Sequence, residues 1–208
     1  MSVTDAYFDE LFQHTDDPWA FRQRWYERRK RALTLATLPR EHYRSIFEPG
    51  CANGELSAAL AERCDRFLGC DTSSRAVDLA RQRLQGVAHA TIMQGRLPQD
   101  WPEGPFDLIV LSEVGYYLDE QDLQRLINCA LASLSDDGQL LACHWRPAIE
   151  GCPLEAGQVH DLLEKHLSLH RVCSHREPDF LLDVFSRDAL SVAQKEFDDD
   201  RRAHPGSQ

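Results

Sequence analysis

The chain has 208 residues, 42% of them hydrophobic, which supplies one domain with a proper core and leaves little room for a second. Its 34 acidic and 23 basic residues give a formal charge of −11, which disfavours nucleic acid and anionic membrane surfaces and suits a small neutral or cationic partner. Seven cysteines with no CxxC pair argue against a disulfide framework or a zinc site, the N-terminus MSVTDAYFDELF is acidic where a signal peptide is basic, and no apolar run nears the roughly eighteen residues of a spanning helix, so a cytoplasmic protein without metal is expected.

In chain order, Tyr26 and Lys30 share one face of an N-terminal helix for which Trp25, Leu33 and Leu35 offer apolar anchors. The run Arg28 to Arg31 reads as its solvated side. "YRSIF" (43–47) is a first strand leading into the turn "EPGCANG" (48–54), after which Leu56, Ala59, Leu60 and Cys64 recur at helical spacing. "RFLGC" (66–70) is a second strand ending at Asp71, and Thr72, Ser73 and Ser74 offer N-cap oxygens to a helix that buries Val77, Ala80 and Leu84. "ATIM" (90–93) and "FDLIVL" (106–111) are further strands, the latter apolar throughout as a strand buried on both faces should be. Asp119 caps a helix with Leu123, Leu126, Ile127, Ala130, Leu131 and Leu134 on one stripe, which stops at the turn "DDG" (136–138) before the strand "QLLACHW" (139–145). A helix over 158–166 follows, then "LSLHRVCSH" and "LLDVFSR" as an antiparallel hairpin, and the last twenty or so residues turn polar and are expected frayed or weakly helical. The alternation implies a parallel sheet with helices on both faces.

Ligands of such sheets bind beyond the carboxyl ends of the central strands, so the glycine turn is the first place to look. Asp71 lies 21 residues after Gly50, near the spacing at which an acid ending the second strand accepts both hydroxyls of a ribose. A dinucleotide turn reads GxGxxG and a phosphate loop ends GK[ST]; this turn is neither. A nucleoside-type cofactor without a pyrophosphate is therefore expected.

The pattern Glu48-Pro-Gly50-Cys51-Ala52-Asn53-Gly54 resembles the first motif of class I S-adenosylmethionine-dependent methyltransferases, with Ala52 where a middle glycine is usual. That resemblance implies a Rossmann-like, mostly parallel seven-stranded sheet and S-adenosyl-L-methionine as cofactor. It implies that Glu48 and the turn amides surround the amino-acid part, and that Asp71 with Thr72 holds the ribose. Gly95, Arg96 and Leu97 of "QGRLP" would lie at the adenine, Arg96 standing where an acid is common. Ser112 and Glu113 open "SEVGYYL", beside the reactive methyl. Together with "DDPW" (16–19) and "YERRK" (26–30), the set over residues 5 to 186 is similar to the nodulation protein S family, N-methyltransferases acting on the free amine of a deacetylated chitooligosaccharide. It implies a lid over residues 1–40, in which Trp19 and Tyr26 cover the methionine chain and Lys30 meets its carboxylate, a core over 41–187 and a polar tail over 188–208.

Methyl transfer needs an uncharged nucleophile held near attack distance, and an amine acceptor must lose a proton. Glu113 is the first candidate to take it, with His144 at the end of the fifth strand second. Tyr116, Tyr117, His144, Trp145 and His160 are candidate acceptor contacts, and Cys51 reads as a small buried thiol rather than a nucleophile. An O-methyltransferase and a non-catalytic cofactor-binding protein remain the alternatives; the small-molecule or saccharide acceptor itself is left open.

Overall fold

The computed structural model describes residues 1–203. Two N-terminal helices, α1 (Asp5–His14) and α2 (Trp25–Ala36), precede the alternating β1 (Tyr43–Pro49), α3 (Glu55–Ala61), β2 (Cys64–Asp71), α4 (Ser74–Arg83), β3 (Ala90–Gln94), β4 (Phe106–Ser112), α5 (Glu120–Ser133) and β5 (Leu134–Trp145). Then come α6 (Ala156–His166), the hairpin β6 (His170–Arg176) and β7 (Phe180–Ser186), and α7 (Val192–Ala203). The seven strands form one sheet in the order β3-β2-β1-β4-β5-β7-β6, with β3 through β5 parallel and β7 antiparallel to both neighbours. The order turns back between β1 and β4, which opens a crevice at their carboxyl ends.

Strand alternation sorts the core into two layers. Ile46, Leu108, Val110 and Leu141 face Leu60 of α3 and Val77 and Ala80 of α4. Their neighbours Phe47, Ile109, Leu111 and Leu140 face Leu123, Ile127 and Ala130 of α5 and Val159 and Leu163 of α6. The apolar run of β4 is thus explained by a strand covered on both sides.

Several local expectations need correction. Trp25 is 69% exposed and anchors nothing, whereas α2 turns Glu27, Lys30 and Thr34 inward; its burial is polar because it faces a cavity. Cys64 opens β2 instead of ending α3. Ser73 is the N-cap of α4, yet its hydroxyl makes no cap bond. "DDG" does not interrupt β5: Phe106 pairs with Leu134 and Leu108 with Gln139, so residues 135–138 bulge opposite Asp107. That carboxylate accepts from Arg44 Nε (2.9 Å) and Nη2 (2.8 Å) and from Ser135 Oγ (3.0 Å), which stitches the bulge to β1. Asp119 caps α5 as expected, accepting from the Asp122 amide at 2.9 Å. The polar C-terminal segment carries the twelve-residue helix α7, and residues 204–208 lie outside the described residues.

Candidate active site

The carboxyl ends of β1, β2 and β4 meet under α1 and α2 around a cavity of about 620 Å³. The glycine turn forms its floor. Gly50 has φ +69°, and a Cβ there would collide with the Val114 side chain; Gly54 has φ +79°, and a Cβ would sit 3.0 Å from the Ala80 backbone of α4. The two glycines therefore admit protein neighbours as well as a tight turn. The turn is pinned by Gly50 and Cys51 amides donating to the Cys70 carbonyl at 2.7 and 3.0 Å.

Asp71 ends β2 beside this turn. Its Oδ2 accepts from the Ala52 amide (2.9 Å) and its Oδ1 from the Ser73 amide (3.1 Å), so each oxygen keeps an acceptor site free. Burial lifts its carboxyl to about 6, against the pull of the Ser73, Ala52 and Thr72 amides. Glu48 lies deeper, 2% exposed, and accepts from Ser57 Oγ at 2.5 Å. Burial pushes it to about 8, although the Ser57 hydroxyl works the other way. Burial also raises the Cys51 thiol well above its usual range, so it is no ready nucleophile.

The opposite wall holds Glu113, at φ +59°, a conformation that costs a side-chain-bearing residue about 1 to 3 kcal/mol. Three groups fix its carboxylate. Lys30 Nζ lies 2.5 Å from Oε1, while Tyr116 Oη and the Trp145 amide donate to Oε2 at 2.6 and 2.8 Å. Lys30 also meets Glu27 Oε2 at 3.1 Å and stands 5.2 Å from the centre of the Tyr26 ring. Burial opposes its charge, but the Glu113 and Glu27 carboxylates hold its ammonium well above the usual lysine range. In this structure Lys30 pairs with these two protein carboxylates.

Trp19 sits in the loop between α1 and α2, edge-on to Phe12 and stacked on Phe21. It lines the cavity, as do Tyr26, Glu48, Cys51, Ala52, Asn53, Asp71 and Thr72. Gly95, Arg96 and Leu97 beyond β3 and Ser112, Tyr116, Tyr117 and Trp145 at the ends of β4 and β5 line it too. The Arg96 guanidinium is drawn toward Asp5 of α1 at 3.7 Å. Three candidates are not on the cavity wall. Gly54 lies behind the turn against α4, and His144 and His160 are buried beyond Tyr116 with their ring nitrogens in hydrogen bonds. The sequence reading missed Tyr7, Phe8 and Phe12 of α1, which also line the cavity. The i, i+4 spacing of Phe8 and Phe12 is a signal for a helix there. Glu27 and Val114 line the cavity as well; they lie inside the stretches YERRK and SEVGYYL, where no site role is read for them.

Buried polar atoms test whether a nucleoside and amino-acid cofactor fits. Tyr26 and Asn53 line this cavity, and each carries a buried polar atom without a protein partner, the Tyr26 hydroxyl and Asn53 Oδ1, while Asp71 has its two free acceptor sites. The residues fit such a group. Among the described residues, no cluster of His, Cys, Asp and Glu could hold a metal ion, and no helix is long and apolar enough to cross a membrane.

Comparison with known proteins agrees with this geometry. The methyltransferase domain family profile matches residues 46–138. Nodulation protein S of Rhizobium tropici is 33% identical over 128 residues, 61% of this chain and 54% of that protein; the chain spans little more than half the length of the curated relatives it matches. A solved Pseudomonas syringae protein, proposed to be a methyltransferase, is 68% identical with a TM-score of 0.72, covering 79% of this chain and 100% of its own. The N-methyltransferase NodS of Bradyrhizobium japonicum WM9, solved with S-adenosyl-L-homocysteine, is 27% identical with a TM-score of 0.79 over 88% of this chain and 97% of its own. With this fold, this cavity and these relatives, the chain belongs to the class I S-adenosylmethionine-dependent methyltransferases, and it resembles the nodulation protein S proteins.

Proposed function

We propose that the chain binds S-adenosyl-L-methionine in the cavity and transfers its methyl group to an amine nitrogen of a small acceptor such as an amino-sugar. One observation carries the nitrogen assignment: at the cavity wall the Glu113 carboxylate already holds an ammonium, that of Lys30, at 2.5 Å, with Glu27 and the Tyr26 ring beside it. A site that stabilises one buried ammonium suits another.

Glu48 and the turn amides would hold the cofactor's amino-acid part, Asp71 its ribose, and Gly95 to Leu97 its adenine. When bound, the cofactor supplies an electrophilic methyl on a sulfonium. Glu113 then has the remaining work. Three of its four acceptor sites are filled by Lys30, Tyr116 and Trp145, so an acceptor N–H takes the fourth or displaces Lys30. The carboxylate orients the amine and accepts the proton that nitrogen sheds as its bond to carbon forms. Tyr116, Tyr117 and Trp145 give that end of the cavity aromatic faces suited to a saccharide. The O-methyl alternative has less support, because the His144 ring nitrogens are both engaged. The N-methyltransferase activity of the Bradyrhizobium relative agrees with the reading.

The test is methyl transfer from labelled S-adenosylmethionine to a panel of amino-sugars and small amines, each paired with its N-acetyl derivative. Incorporation into free amines alone is expected. Incorporation into hydroxyl acceptors, or none despite cofactor binding, would contradict the proposal.

A further inference from the structure

Three consecutive residues of β5 hold the loop that follows β4. The Cys143 carbonyl accepts from the Glu113 amide at 2.8 Å, His144 Nε2 accepts from the Gly115 amide at 3.0 Å, and the Trp145 amide donates to Glu113 Oε2 at 2.8 Å. The first and third are main-chain groups set by the sheet. The second is a side chain, so its ring must be held by something else.

His144 Nδ1 lies 3.1 Å from His160 Nε2 on α6, and His160 Nδ1 lies 2.6 Å from Asp183 Oδ2 on β7. All three side chains are buried. A backbone amide only donates, so His144 Nε2 is the acceptor and the His144 proton sits on Nδ1. That proton points at His160 Nε2, which leaves the His160 proton on Nδ1, where the Asp183 carboxylate accepts it. One arrangement of protons, with two neutral rings and one carboxylate, satisfies every bond. Burial, with His160 and Lys30 nearby, keeps His144 well below its ordinary pKa and hence neutral. The loop rests directly on this ring. A Cβ on Gly115 would lie 3.0 Å from His144 Nε2 and 2.5 Å from Val159, and the Tyr116 ring packs edge-on against His144 at 5.5 Å.

We propose that Asp183, His160 and His144 form a positioning array that fixes the Gly115 amide, and through it the Glu113 carboxylate and Tyr116 hydroxyl, without exchanging a proton with the substrate. The proposal rests on the assignment of Glu113 to the acceptor made above. The array ends on a backbone amide, which does not relay protons at neutral pH, and neither imidazole reaches the cavity. Its work is therefore geometric. A misplacement of about 1 Å at the reacting groups costs roughly 100-fold in rate, which is the scale on which such an array matters.

Two measurements test it. In histidine ¹⁵N NMR of the whole protein, both His144 and His160 should be neutral with the proton on Nδ1; a proton on Nε2 of His144 would overturn the array. His160→Phe should speed hydrogen exchange at the Gly115 amide by about tenfold or more while Leu141 in β5 keeps its protection. Unchanged exchange at Gly115 would also overturn it. With the amine that accepts methyl in the panel above, His160→Phe should lower kcat per folded enzyme about 10- to 100-fold, leaving the pH midpoint of kcat and the S-adenosylhomocysteine Kd within about twofold of wild type. His160→Gln, which can accept from His144 and donate to Asp183, should restore most of the rate. Wild-type kcat in His160→Phe, beside a large loss in Glu113→Gln, would refute the array. Wild-type kcat in both would instead sink the role given to Glu113.

Discussion

Replacing Asp71 by alanine probes the cofactor half of the site. The carboxylate uses one acceptor position on each oxygen for the Ala52 and Ser73 amides and keeps one on each for two ribose hydroxyls. Hydrogen bonds to a charged group are worth about 1.5 to 3 kcal/mol each, and water entering the truncated site returns part of this. Asp71→Ala should therefore weaken S-adenosylhomocysteine by about 2 to 4 kcal/mol, a rise in Kd of roughly 30- to 1,000-fold by calorimetry. Asp71→Asn keeps one carbonyl acceptor and should lose less. Since burial has lifted this carboxyl to about 6, wild-type affinity should hold above that pH and fall as pH drops through it, when protonation removes an acceptor. An Asp71→Ala protein that folds normally and binds within about twofold of wild type would refute the assignment.

Glu48, pushed to about 8, is mostly protonated in the ligand-free protein at neutral pH and should ionise against the cofactor's ammonium. Binding of S-adenosylhomocysteine at pH 7 should then release close to one proton, read by calorimetry in buffers of different ionisation enthalpy, and Glu48→Gln should abolish the release. The same raised carboxyl holds a proton in the folded chain that the unfolded chain has lost, so its contribution to stability is full below the unfolded pKa of about 4.3 and is lost as pH rises toward 8; thermal melts of Glu48→Gln should show a smaller decline over that window. Lys30→Met leaves the buried Glu27 and half-buried Glu113 carboxylates without their cation and should cost about 3 kcal/mol of stability in denaturant titration, whereas a cost within error would mean that the pair is not maintained in solution. If residues 1–40 act as a lid, saturating S-adenosylhomocysteine should slow tryptic cleavage at the exposed Arg22 and Arg24 several-fold, and equal rates would favour a fixed N-terminal layer.

The parallel core was legible because buried strands leave continuous apolar runs, as in β4, and because the glycine turn and Asp71 sit at fixed distances from them. What the sequence hid was the polar interior. α2 buries Glu27, Lys30 and Thr34 rather than Trp25, since it roofs a cavity and its inward face is chosen for charge. Hydrophobic periodicity is silent about such a face. Asp183 reads as an ordinary residue of an apolar strand, and its link to His160 and His144 exists only after β7 turns antiparallel beside β5. The pattern of the turn also gives no sign that Gly50 and Gly54 make room for Val114 and Ala80, which are distant in sequence. "DDG" looked like a turn because a bulge uses the same residues.

The account stands or falls on Glu113 as the group that handles the acceptor's proton. Glu113→Gln keeps the shape and removes the charge, so the direct measurement is kcat on an amine acceptor for this variant and wild type, with S-adenosylhomocysteine affinity measured in parallel. The account predicts a fall in kcat of about 100-fold with cofactor affinity within about twofold. Undiminished kcat would contradict it.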